Sequence, residues 1–126
     1  MVVHSAEGLD EISPAGRTRA WVLDEGAISE RDLLPSDFGL EGHPVSKVVG
    51  GGPEENAGAF LAVLDGGEGP VTDFVLMNAA AALWVAGTVS TLPSGVDAAR
   101  ESIASGRARE VLDRYIAMSQ APGGEQ

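Results

Sequence analysis

The feature that most constrains this chain is the run from Pro70 to Gly87. Proline at its start suits the first helical position, where the missing amide hydrogen would have no partner anyway. Glycine at its end suits a left-handed helix cap. Between them, Val71 to Ala86 is almost wholly apolar: past the first turn its only polar side-chain groups are the amide of Asn78 and the indole nitrogen of Trp84. At about 1.5 Å per residue the helix is too short to cross a bilayer comfortably. A helix apolar all round is expected to be buried. Ala79 to Ala82 allow a neighbouring backbone to approach closely. Asn78 must then find interior partners, because an unpaired buried amide is costly. A structural hydrogen bond, rather than a catalytic role, is the expectation for it.

The chain opens with an apolar run, Met1-Val2-Val3, of the kind that ends a buried strand. It continues through His4 and Gly8 into a loop holding adjacent carboxylates, Asp10 and Glu11, and closes at Ser13-Pro14-Ala15-Gly16. Pro14 biases Ser13 toward an extended backbone. A strand that delivers acids into such a loop can hold a hard cation against phosphates. An acid pair alone is a weak signal, since Asp24-Glu25 and Glu54-Glu55 are further pairs and most such charges are solvated.

Arg17 to Leu34 reads as a hairpin turning at Asp24-Glu25-Gly26, with Thr18, Ala20 and Val22 on one face and Arg17, Arg19, Trp21 and Leu23 on the other. Arg17 and Arg19 read as edge solubilisers before phosphate ligands, and Trp21 as a core residue. Pro35 to Gly52 is irregular. Its closing Gly50-Gly51-Gly52 lacks the spacing and following lysine of a phosphate loop and reads as a flexible entry to a helix. Pro53 begins that helix, with Glu54 and Glu55 in the first turn, Asn56 as a structural polar residue, and Ala57, Phe60, Leu61 and Leu64 on one face before Gly66-Gly67. Two more helices, about Pro93–Ser105 and Arg107–Ser119, flank Gly106; Val96, Ala99, Arg100 and Ile103 give the first a partly apolar stripe, and Val111, Leu112, Tyr115 and Met118 give the second one expected to be core. Residues 120–126 form a polar tail expected to be disordered.

Charge narrows the function. Nineteen acids against eight bases give a net charge of −11, and Lys47 is the only lysine. No basic patch is available to neutralise a phosphate backbone, which argues against nucleic acid. Many acids, few lysines and 17 glycines suggest a chain suited to concentrated salt, where screening suppresses self-repulsion; the alternative is an ordinary acidic protein from a GC-rich genome. There are no cysteines, so disulfides and thiolate metal sites are excluded. The N-terminus has no basic region ahead of an apolar run, so no signal peptide is read and a cytoplasmic location is expected.

The run His4 to Gly16 resembles the signature loop of anthranilate phosphoribosyltransferase. The resemblance continues in order through Arg17-Thr18-Arg19, Pro35-Ser36-Asp37-Phe38-Gly39-Leu40, Gly51-Gly52-Pro53-Glu54-Glu55-Asn56-Ala57 and Leu76-Met77-Asn78-Ala79-Ala80-Ala81-Ala82-Leu83. It covers about Val2 to Ser119, with one departure: Ser5 stands where the family has glycine. What it implies is an α/β fold, the C-terminal part of a nucleoside-phosphorylase-like phosphoribosyltransferase domain (residues 1–119), as a strand and β-hairpin followed by about four helices; the family's whole fold is a mixed sheet with helices beside a small helical domain. The implied reaction joins anthranilate to the ribose of phosphoribosyl pyrophosphate and expels pyrophosphate, a step in tryptophan biosynthesis. The implied metal is Mg²⁺, supported by Asp10 and Glu11; no chemistry is carried over to His4, which reads as a packed or turn histidine.

The family's helical N-terminal domain and its pyrophosphate-cradling glycine loop have no counterpart here, and most of the anthranilate pocket lies in that absent part. The expectation is therefore a transferase fragment, inactive alone, whose complete enzyme is a homodimer through the absent part. A non-catalytic acidic interaction module and a nucleic-acid-binding relative of the same fold are the alternatives.

Overall fold

The computed structural model describes residues 1–120. The expected tail lies outside them except for Gln120, which is the last residue of a helix. Three strands come first: β1 (Val2–Ser5), β2 (Thr18–Asp24) and β3 (Ala27–Leu33), in the order β1-β2-β3 with both pairings antiparallel. Short 3₁₀ turns at Pro35–Phe38 and Val45–Lys47 follow, within the stretch expected to be irregular. The helices are α1 (Pro53–Leu64), α2 (Pro70–Val85), α3 (Leu92–Ala104) and α4 (Arg107–Gln120).

The hairpin turns on two residues, Glu25 and Gly26, at φ 46° and 82°, with Asp24 opposite Ala27. Positive φ at both central positions matches the right-handed twist of the strands it joins. The alternation of β2 follows the expected faces. Thr18 and Ala20 are fully buried, whereas Arg19 and Leu23 are exposed. Trp21 lies on the arginine face, half-buried, and donates its indole N–H to Glu30 at 3.1 Å. That corrects its expected place in the core: period-two alternation fixes its face more strongly than its size does. Arg17 and Arg19 pair across the strands with Asp32 at 3.5 Å and Glu30 at 3.1 Å on the exposed face; β2 is the central strand, so the expected edge position is corrected. β1 is an edge strand in this sheet, which leaves Val2 exposed where a buried strand was expected.

The core forms where α2 and α3 meet the inner face of the sheet. It gathers Ile12, Ala20, Leu33, Phe38, Leu76 and Met77, closed by Leu92, Val96 and Ala99. The alanine run does what its small size permits. Gly95 of α3 sits so close to Ala80 that a Cβ there would lie 2.9 Å from its Cα, Cβ and carbonyl oxygen. One turn further along α2, Arg31 of β3 lies over the Trp84 ring, 5.6 Å from its centroid.

Three expectations about burial are corrected. Helix α2 is buried on one side only, through Leu76, Met77, Ala80 and Ala81, while Val75 and Val85 are exposed. In α1 the expected stripe is uncovered, with Phe60 52% exposed, and Val63 is the buried residue. In α4 no residue is buried, and Val111, Tyr115 and Met118 of the expected core stripe are exposed. Phe60 of α1, Val75 of α2 and Val111 of α4 border an open apolar groove of about 1060 Å³, lined also by Val63, Phe74 and Ile103. Helical period tells which residues share a face; it does not tell whether anything packs on it.

Candidate functional site

The segment between β1 and β2 carries the acid pair, and its backbone is fastened along its length. At its start Ser5 is buried, its Oγ accepts the Leu9 N–H at 2.8 Å, and its own N–H donates to the Leu9 carbonyl at 3.2 Å. Gly8, at φ 85°, makes the turn inside this bracket and donates to the Ser5 carbonyl at 3.1 Å. The Ala6 N–H reaches the Arg17 carbonyl at 2.9 Å and closes the base of the loop. Ser5 therefore contributes a hydroxyl to the turn that a glycine would lack.

The far side is held just as firmly. The buried Ser13 donates its N–H to Thr18 Oγ1 at 2.8 Å, and its own Oγ accepts from Ala15 N–H at 3.1 Å. Pro14 is buried and its carbonyl accepts the His43 N–H at 2.7 Å. Ile12, 2% exposed, is gripped by α2: Asn78 Oδ1 accepts its N–H at 3.0 Å, and Asn78 Nδ2 donates to its carbonyl at 3.2 Å and to the Phe74 carbonyl at 3.0 Å. Asn78 thus has the structural hydrogen bonds expected of it.

Asp10 and Glu11 stand exposed at the apex of this fastened loop, and neither enters an ion pair among the described residues. Two carboxylates free of cationic partners are oxygen donors suited to a hard cation. No cluster of three or more His, Cys, Asp or Glu residues placed to hold a metal occurs among the described residues. A hard cation held by these two carboxylates would take its remaining ligands from water or a bound molecule.

His4, expected to be a packed or turn histidine, is instead exposed within β1, opposite Arg19. It lines a shallow cleft of about 260 Å³ with Ser5, Ala6, Arg17, Arg19 and Trp21. Neither is Gly50-Gly51-Gly52 a loose entry. Asn56 accepts from Gly51 N–H at 2.8 Å and donates to its carbonyl at 3.1 Å, while Glu55 accepts from Gly52 N–H at 3.0 Å. One constellation had no sequence signal. His43 Nε2 meets Asp73 Oδ2 at 2.8 Å, and Arg100 lies 3.7 Å from the other oxygen of Asp73. The partners are 30 residues apart and no local spacing links them.

The sequence pattern of the glycosyl transferase family, a/b domain, matches residues 1–109. The chain belongs to this family. Among its glycosyl transferase relatives, the anthranilate phosphoribosyltransferase of Hyphomonas neptunium is 47% identical over 119 residues, covering 94% of this chain and 35% of that protein. The Schizosaccharomyces pombe enzyme of the same name is 42% identical over 125 residues, covering 97% and 35%. Anthranilate phosphoribosyltransferase from Saccharomyces cerevisiae in complex with PRPP and Mg superposes with a TM-score of 0.84 at 37% identity, over 91% of this chain and 33% of that one. The Thermus thermophilus enzyme gives 0.81 at 41% identity, over 95% and 35%. The chain thus spans about a third of the length of the relatives it matches.

No helix among the described residues is long and apolar enough to cross a membrane.

Proposed function

We propose that this chain, through residues 1–119, supplies the C-terminal, carboxylate-bearing third of an enzyme that transfers phosphoribosyl from phosphoribosyl pyrophosphate to anthranilate, in tryptophan biosynthesis. The observation that carries this reading is the fastened loop presenting Asp10 and Glu11, in a chain 47% identical to an anthranilate phosphoribosyltransferase over nearly all its length. In the reaction the anthranilate nitrogen bonds to the ribose carbon as that carbon's bond to oxygen breaks, the electron pair departs with pyrophosphate, and the nitrogen sheds a proton to water. When bound, Mg²⁺ neutralises the charge that gathers on this leaving group.

The protein's own part is to fix the backbone that presents Asp10 and Glu11, which would hold the cation, and the cation would supply charge neutralisation at the leaving group. Because the loop backbone is fixed by Thr18, His43 and Asn78, the carboxylates need no large rearrangement to do so. The apolar groove along α1, α2 and α4 is where the remainder of the enzyme packs, including the pyrophosphate-cradling loop and most of the anthranilate pocket. That remainder also carries the homodimer contact. The chain is therefore inactive alone. The net charge of −11 with a single lysine supports a cytoplasm of high salt as its setting.

The test is a chimera in which residues 1–119 replace the matching third of the Hyphomonas neptunium relative. Transfer of phosphoribosyl to anthranilate by the chimera, and none by the 126-residue chain, is the expected result. A folded chimera without transfer, or turnover by the chain alone, would contradict the reading.

A further inference from the structure

Helix α2 reaches the acid loop through one side chain, and the place it grips is the residue next to Glu11. We infer that Asn78 is a positioning residue for the carboxylate pair: by fixing both backbone groups of Ile12 it sets how Asp10 and Glu11 present their oxygens to a divalent cation. The inference rests on the proposed role of that pair and adds a residue that does not touch the cation.

The geometry distinguishes Asn78 from an ordinary buried amide. Its Oδ1 accepts the Ile12 N–H at 3.0 Å while its Nδ2 donates to the Ile12 carbonyl at 3.2 Å, so the peptide units on both sides of Ile12 are held by one planar group. A third bond, from Nδ2 to the Phe74 carbonyl at 3.0 Å, fixes the amide's own orientation against the helix one turn back. The Ile12 side chain is sunk in the core, 2% exposed. The peptide that leaves Glu11 therefore has a fixed plane, and rotation at Glu11 is limited from its C-terminal side. On the N-terminal side the Ser5–Leu9 bracket restrains the approach to Asp10. Two exposed carboxylates thus hang between two fixed points, and the C-terminal one is the Asn78 contact.

Asp10 and Glu11 are free of ion pairs among the described residues, so their relative placement is left to the backbone. Groups that orient metal ligands without touching the metal commonly alter affinity by about ten- to a hundredfold when removed. A buried structural amide with no such task would alter stability alone.

The experiment uses the 126-residue chain and Mn²⁺ as a paramagnetic probe, read by loss of amide NMR signal at Asp10 and Glu11. The turn pair Asp24-Glu25 is the internal reference, because it carries similar charge in a hairpin turn that Asn78 does not hydrogen-bond. In the wild type the Ile12 amide is protected from exchange, and Mn²⁺ acts at Asp10–Glu11 at lower concentration than at Asp24–Glu25. Asn78→Ala raises the concentration needed at Asp10–Glu11 by about tenfold and leaves the reference unchanged. Asn78→Asp, which keeps an acceptor for the Ile12 N–H but loses the donor to its carbonyl, falls between.

If Asn78→Ala fails to fold, Asn78→Asp carries the test by the same comparison. An effect of Asn78→Asp equal at both pairs marks a purely structural residue and overturns the inference. Wild-type response at Asp10–Glu11 in both variants, with Asp10→Asn abolishing it, overturns the inference and leaves the role of the acids standing. A response that survives Asp10→Asn and Glu11→Gln overturns both. Free exchange of the Ile12 amide in the folded wild type removes the contact on which the inference stands.

Discussion

Gly95 of α3 and Ala80 of α2 meet with no room for another carbon: a Cβ on Gly95 would stand 2.9 Å from the Ala80 backbone. The nearest atoms are backbone and Cβ atoms, so they cannot swing aside as a long side chain would. The two helices approach this closely because each offers a small residue at the crossing, and that approach brings Leu92, Val96 and Ala99 onto Leu76 and Met77.

Gly95→Ala should therefore destabilise the protein by about 1–3 kcal/mol, the usual cost of overpacking a tight core. Gly58→Ala is the control, since a Cβ there meets nothing within 4 Å and alanine favours the interior of α1. Urea unfolding of the two variants checks this. A Gly95→Ala midpoint equal to the wild type would show that the helices can part without loss.

The hairpin turn gives a prediction of opposite sign. Glu25 is the only non-glycine residue among those described with positive φ, at 46°. A left-handed backbone costs an ordinary L-residue about 1 kcal/mol, and asparagine tolerates it better. Glu25→Asn should stabilise the protein by up to that amount and so raise the urea midpoint. Glu25→Val, β-branched at the same φ, should lower it.

How far the fold was legible in the sequence varies by element. The hairpin and all four helices are punctuated locally, by Gly26, Pro53, Pro70, Gly87 and Gly106, and the structure places them within a residue or two of the expected ends. Asn78 was legible because a lone amide in an apolar helix must find partners. The burial of Phe60, Tyr115 and Met118 was misread because amphipathic period records a face and not its covering. Trp21 and His4 were misplaced by residue-type preference where strand alternation and an edge position decide. In the candidate site, the acid pair was visible from its motif. Its fastenings at Thr18 and His43, and the His43–Asp73 pair, join residues whose contacts only the tertiary fold creates.

The uncovered faces of α1, α2 and α4 should make the isolated chain associate and bind a hydrophobic dye. Exposed apolar patches of this size are interaction surfaces or liabilities. Sedimentation and dye fluorescence at several concentrations test this. A monomer that binds no dye and melts in one sharp transition would mean that the groove needs no cover.

Salt should act in the other direction. With a net charge of −11 and a single lysine, raising KCl from low to molar concentration should screen self-repulsion and increase the helical signal in circular dichroism. A native spectrum already complete at low salt, and unchanged on adding KCl, would remove the case for a high-salt setting.

The most direct test of the central claim is turnover against Mg²⁺ concentration in the chimera that carries residues 1–119 of this chain. Asp10→Asn and Glu11→Gln should each cut turnover sharply, by about a hundredfold if leaving-group stabilisation depends on them, and part of the loss should return at high Mg²⁺. Asp24→Asn, in a solvated turn residue, should leave turnover within about twofold of the unaltered chimera. Equal losses at Asp10, Glu11 and Asp24, or no loss at Asp10 and Glu11, would place the metal elsewhere and contradict the account.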